Sequence, residues 1–178
     1  MDSINQNQPE DNFKNLVGQE GIEKIKELAK TAGACFFCTG IVTGQPFDTR
    51  PMSAEHIDDD GDFWFLSSND SHKNKELEID PAAQLLFQGS SYSDFLSLYG
   101  KATISTDKQK IDELWDPMMK VWFTEGKDDP RITVIRFKPN QGYYWDTKHN
   151  AVVAFAKRAY GAVVGETYDD SVEGTIVP

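Results

Sequence analysis

The segment DFWFLS, residues 62–67, limits the fold more than any other part of the chain. Side chains alternate along a strand, so Phe63 and Phe65 point one way while Trp64 and Leu66 point the other. A strand apolar on both sides must be covered on both sides, which suits a small closed barrel. Further short runs of strand character lie at 34–43, 49–57, 83–89, 94–105, 131–139 and 142–146. Asp60-Gly61, just before the central run, is a hairpin signal. Helical patterns are few. Ile22, Ile25, Leu28 and Ala29 mark one face of a first helix that Gly33 closes. Others are expected at about 71–79, at about 107–115 and at about 148–164. The second of these opens on a capping box, Thr106 to Gln109, and buries Ile111, Leu114 and Trp115. The pattern predicts a mostly β fold with helical additions, an antiparallel barrel without internal repeats.

A chain of 178 residues suits one domain with a real core. That domain is expected over 13–164, after a disordered tail at 1–12 and before a loose acidic tail at 165–178. No apolar run is long enough for a membrane helix, and the polar start lacks a secretory signal, so the expected location is cytoplasmic. A net charge of −11 works against nucleic acid or an anionic membrane as partner. Cys35 and Cys38 have CxxC spacing but sit in an apolar, strand-like run with no second ligand pair. They read as buried, reduced thiols rather than a redox or zinc site. The DDDGD turn at 58–62 lacks the carboxylates of a calcium loop at its first and last positions, and no metal is expected.

One local conflict points to function. The helix at 71–79 places His72, Lys73 and Lys75 in its first turn and Glu76, Glu78 and Asp80 towards its end, opposing the helix dipole at both ends. A phosphate bound at the N-terminal N–H groups would reverse that penalty, with Lys73 and His72 completing its site and Ser67, Ser68 and Ser71 supplying hydroxyls. The simpler reading is a solvated turn whose lysines face water. Arg50, on a candidate neighbouring strand, would reach the same anion, or else is an ordinary surface arginine. Trp115, Met118, Met119, Trp122 and Phe123 crowd into nine residues. Such density is usually core, but it also makes a wall for an aromatic ring or a subunit interface.

These segments, in order, resemble the pyridoxamine 5′-phosphate oxidase-like flavin proteins, the FMN-binding split barrels, and above all their general stress protein branch. FLSSNDSHK is similar to the family's strand-to-helix phosphate motif, TRPM to the arginine-led strand before it, and IDPAAQLLF and LYGKATIST to the next two strands. GYYWD resembles the late strand that carries a tryptophan, and KVWFTEGKDDPRITVIRFKP the stretch typical of the stress protein branch. The resemblance implies an antiparallel split barrel forming a homodimer with FMN at the subunit interface. Carried over, Arg50 and Lys73 bind the FMN phosphate with Ser71 and His72 beside them. Ser67 and Ser68 contact the flavin or its ribityl chain, Pro51 and Met52 face the ring, and Trp122 covers it. The expected activity is that of a flavin-dependent oxidoreductase of unknown substrate.

The departures matter as much. His72 replaces an arginine, so part of that charge depends on pH. The lysine that holds substrate phosphate in true pyridoxamine phosphate oxidases is Glu55 here, a carboxylate that repels a dianion. Phe95 stands near a position where glutamine is usual, and the arginine- and histidine-bearing C-terminal segment of those oxidases is replaced. The flavin seat is present and the vitamin B6 seat is not. Alternative readings are a non-catalytic flavin-binding stress or sensor protein, or a haem or deazaflavin binder on the same barrel. Haem would need His149 as its axial ligand.

Overall fold

A computed structural model describes residues 12–91, 93–148 and 170–178. Its elements run β1 (Leu16–Val17), α1 (Gln19–Ala32), β2 (Cys35–Thr39), β3 (Asp48–Met52), β4 (His56–Ile57), β5 (Phe63–Ser68), α2 (His72–Ile79), β6 (Ala82–Gln88), β7 (Phe95–Ser105), α3 (Lys108–Leu114), β8 (Ile132–Thr147) and β9 (Ser171–Val177). The two strands expected at 131–139 and 142–146 are one continuous strand, β8, with a register shift opposite Tyr99 and Gly100. Pro139, which has no N–H to give a ladder, sits at that irregularity.

The strand order is β1-β9-β8-β7-β6-β2-β3, all antiparallel except β1 with β9. β7 follows one edge of β8 along nearly its whole length. On the other edge β5 takes Ile132–Phe137 and β9 takes Gly142–Thr147. The sheet divides there, β5 and β9 sharing one edge of β8.

Local signals explain the ends of elements. Gly33 takes φ 71° and its N–H closes α1 on the Ala29 carbonyl. Gly61 takes φ 80° at the tip between β4 and β5, a conformation that only glycine adopts at no steric cost. The N-cap of α3 is Asp107, one residue later than the capping box implied, its carboxylate accepting from the Gln109 and Lys110 N–H groups. Trp115 is only half-buried there.

β5 is covered on both faces, as its sequence requires. Phe63 and Phe65 join Phe37 and Phe137 in the main core, the rings meeting mostly edge to face at 5.3–6.4 Å. Leu66 packs with Ile111, Leu114, Phe123 and Val134 in a second cluster beneath α3. Trp64 lies between Lys110 and Arg136, whose cationic groups stand 4.4 and 5.3 Å from its ring.

Both expected tails need correction where they are described. Asn12 is buried, and its carbonyl accepts from the Glu173 N–H. The acidic end is not loose over its last residues, because β9 lies between β1 and β8 and Ile176 is fully buried. The remainder of the expected N-terminal tail (1–11) and, from residue 149, the helix expected to run to 164 lie outside the described residues.

Candidate functional site

β5 delivers the chain to α2 through a tight connection. The Asn69 N–H bonds the Arg131 carbonyl at 2.8 Å and the Ser71 N–H bonds the Ser68 carbonyl at 3.0 Å. Ser71 caps α2, accepting from the Asn74 N–H at 3.2 Å. The face of α2 turned inward carries Lys73, Asn74 and Leu77, so a lysine occupies a position normally given to an apolar side chain.

Lys73 is only 8% exposed, and among the described residues no carboxylate lies within ion-pair distance of it. Its ammonium donates to Ser67 Oγ at 2.7 Å. Burial, and then the nearby Arg50 guanidinium, push its pKa down to about 8 against the weaker pull of Glu76. Asn74 organises the hydroxyls beneath it. Its Oδ1 accepts from Ser67 at 2.9 Å and from Ser71 at 3.1 Å, while its Nδ2 donates to Thr133 Oγ1 at 2.8 Å. Ser67 therefore gives its proton to Asn74 and a lone pair to Lys73. It supports the ammonium rather than standing ready as a donor.

Arg50, on β3, points one nitrogen backwards. Nη1 donates to Glu76 Oε2 at 2.9 Å and to Thr39 Oγ1 at 2.8 Å, and the Thr39 hydroxyl donates to the same Glu76 oxygen. Burial acts to raise the Glu76 carboxyl, but these hydrogen bonds and the guanidinium charge hold it below its ordinary value. Nε and Nη2 of Arg50 have no partner among the described residues.

A cavity of about 550 Å³ opens between these groups and the short helical segment Pro117–Val121. Arg50, Pro51, Met52, Ser67, Ser68, Ser71, Lys73 and Trp122 all line it. His72 does not. It is exposed on the outer side of α2, because consecutive helical residues point about 100° apart and Lys73 takes the inward direction. Trp122 is 65% exposed at the mouth of its own chain's cavity. The neighbouring hydrophobics divide, with Phe123 buried, Met119 packed against the second core cluster and Met118 exposed.

Sequence reasoning missed Arg131, Asn74 and the Glu76–Thr39 support. Arg131 lines the cavity with its guanidinium paired to Asp129 through Nε at 3.0 Å and Nη2 at 2.7 Å. Those bonds hold the Asp129 carboxyl down at about 2. Cys35 and Cys38 are buried free thiols as expected, and burial, then Cys38, push the Cys35 thiol up to about 12. Among the described residues no group of acidic, histidine or cysteine side chains is arranged to hold a metal, and no helix is long and apolar enough to cross a membrane. His149, the candidate haem ligand, lies outside the described residues.

The model of the family described as "Pyridoxamine 5'-phosphate oxidase like" matches residues 20–169. The chain belongs to that family. Within it, the resemblances fall in the general stress protein 26 branch. General stress protein 26 of Bacillus subtilis (strain 168) is 29% identical over 76 residues, 41% of this chain and 54% of that protein. The chain spans about half the length of the curated relatives it matches. Among solved structures, a protein assigned as general stress protein 26 from Jannaschia sp. CCS1 superposes with a TM-score of 0.72 at 23% identity, covering 88% of this chain and 97% of that one. The general stress FMN/FAD binding protein from Xanthomonas citri gives a TM-score of 0.56 at 24% identity, covering 67% of this chain and 84% of that one. The fold is the split barrel of the pyridoxamine 5′-phosphate oxidase-like proteins.

In this member of the family Glu55 also lines the cavity, and burial, then Asp116, raise its pKa above the ordinary carboxylate value. The cavity thus has cations from Arg50, Lys73 and Arg131, carboxylates from Glu55 and Asp70, and apolar walls from Met52, Leu66, Met119, Trp122 and Phe123.

Proposed function

We propose that this chain binds FMN in the cavity beside α2 and works as a flavin-dependent oxidoreductase. The observation that carries the reading is Lys73. A buried ammonium without a counter-ion is costly, and an anionic ligand relieves that cost. The donor set fits FMN. Lys73 and the two unpartnered Arg50 nitrogens suit the phosphate, and Ser68 and Ser71, whose protons go to Asp70 and Asn74, would accept from the hydroxyls of the ribityl chain. Pro51, Met52, Leu66 and Trp122 offer an apolar seat for the ring. The cavity also falls within the range of roughly 300–1,000 Å³ usual for cofactor sites.

FMN would supply the hydride or electron chemistry, and the protein the binding, orientation and electrostatics. Glu55 keeps phosphorylated substrates out, so the substrate differs from that of a true pyridoxamine phosphate oxidase. We further propose a homodimer with the flavin near its interface. An apolar groove of about 360 Å³ holds Phe36, Leu86 and Phe95 and shares Ala34 and Pro51 with the cavity. Phe36 is 56% exposed there, and a second copy of the chain would cover it.

The test is the visible spectrum of the purified protein and the mass of what it releases on denaturation. A yellow protein releasing FMN supports the reading, and a protein that stays colourless after incubation with FMN refutes it. Bleaching of the bound flavin by NADH or NADPH, with reoxidation by an acceptor, then distinguishes an oxidoreductase from a flavin-binding sensor.

A further inference from the structure

The phosphate seat contains a carboxylate that does not face the cavity. Glu76 follows Lys73 by one helical turn and, like Thr39, is absent from the cavity lining, whereas Arg50 is part of it. Glu76 and Thr39 grip the same guanidinium nitrogen, Nη1, at 2.9 and 2.8 Å, and hydrogen-bond each other. Thr39 is fully buried, so the grip is anchored on β2 in the barrel wall.

We propose that Glu76 is the positioning residue of the phosphate seat: by holding Arg50 Nη1 from behind, it fixes the guanidinium so that Nε and Nη2 face the ligand as a pair. This deepens the FMN reading and rests on it. Arginine is a long side chain with many rotamers, and a planar two-point contact is strong only when its plane is set beforehand. A guanidinium with one nitrogen tied to Glu76 and Thr39 keeps one edge for a phosphate. The Glu76 charge also offsets the repulsion between Arg50 and Lys73, two cations held close with no other carboxylate at ion-pair distance among the described residues.

The consequence is specific to the phosphate. Riboflavin has the same ring and ribityl chain as FMN but lacks that group, so affinity for it should not depend on Glu76. The experiment titrates FMN and riboflavin into flavin-free wild type and the variants Glu76→Ala, Glu76→Gln, Arg50→Ala and Arg50→Ala/Glu76→Ala at neutral pH, following flavin fluorescence. Glu76→Ala is expected to weaken FMN binding about tenfold, the scale of one charge-assisted hydrogen bond, and to leave riboflavin unchanged. Glu76→Gln keeps an acceptor for Arg50 and is expected within about threefold of wild type. The double variant should bind FMN no more weakly than Arg50→Ala alone.

An equal loss for FMN and riboflavin in Glu76→Ala, or a further loss in the double variant, overturns the positioning role while leaving the flavin site intact. Binding of neither flavin by the wild type removes the site and this inference with it. Thermal melting of each flavin-free variant shows whether a loss reflects unfolding, and Glu76→Leu, which is similar in size but offers Arg50 no acceptor and is expected to show the same FMN-only loss, carries the test if Glu76→Ala does not fold.

Discussion

Lys73 and Glu76, three residues apart on α2, send their charges to different places: Lys73 donates into the cavity through Ser67, and Glu76 holds Arg50 behind it. This accounts for much of the reversed charge order of that helix. Glu76 is committed to an ion pair with Arg50, and pairing of that strength exceeds a dipole penalty of a few tenths of a kcal/mol to about 1 kcal/mol, whereas Lys73, held only by the Ser67 hydroxyl, is left to a ligand. Helix stability is set here by where the side chains reach rather than by the helix alone.

The first prediction concerns the two cations. Lys73→Ala with Arg50→Ala should give a folded protein that purifies colourless and takes up less than a tenth of the FMN bound by wild type under the same conditions, since each lost charged contact costs about 1.5–3 kcal/mol. Absorbance at equal protein concentration measures it. Full flavin occupancy in the double variant would refute the phosphate assignment.

Titration of Lys73 gives the second. Its pKa falls to about 8 in the folded protein from an ordinary 10.5, so between these values the unfolded chain holds the proton and the folded chain does not. Stability of the flavin-free protein should therefore rise with pH across that window through this group, and Lys73→Met should lack the rise. FMN affinity should move the other way, falling as pH climbs through about 8 and the ammonium is lost. Denaturation and flavin titrations at matched pH values check both signs. A flavin affinity that increases over this range would contradict the site.

Much of the barrel was legible because its signals are local. The alternation in DFWFLS and the glycines at 33 and 61 depend on neighbours in sequence, and the structure uses each of them. The cavity-lining role of Arg131 was not legible, because it depends on β8 lying beside β5 with Ile132 opposite Ser68. The grip of Glu76 on Arg50 likewise needs α2 to pack near β2 and β3, a relation that sequence spacing does not reveal. His72, expected beside Lys73 at the phosphate, is exposed and does not line the cavity, because the inward positions of α2 fall to Lys73, Asn74 and Leu77. β9 was hidden by its acidic setting. Glu173, within the stretch expected to be a loose acidic tail, accepts the Tyr143 hydroxyl at 3.0 Å.

The third prediction tests β9. Ile176 is fully buried and belongs to the main core. Ile176→Ala should destabilise the protein by about 2–5 kcal/mol, the usual cost of removing a buried isoleucine side chain. Urea denaturation would show the midpoint moving down with the slope unchanged. A change below about 0.5 kcal/mol, as expected at an exposed tail position, would rule out this packing.

Glu55 supports the last. A phosphate dianion placed roughly 8 Å from a carboxylate is repelled by about 4 kcal/mol at an effective dielectric near 20. Wild type loaded with FMN should therefore show no measurable oxidation of pyridoxamine phosphate at neutral pH. Because burial and Asp116 raise the Glu55 pKa, repulsion is lost as pH falls through that raised value. Binding of a pyridoxal phosphate probe, followed by perturbation of the flavin spectrum, should thus strengthen towards acid pH in wild type. In Glu55→Gln it should be stronger at neutral pH, with this component of the pH dependence gone. Efficient oxidation of pyridoxamine phosphate by wild type, or a probe affinity indifferent to both pH and Glu55→Gln, would show that this carboxylate does not select the substrate.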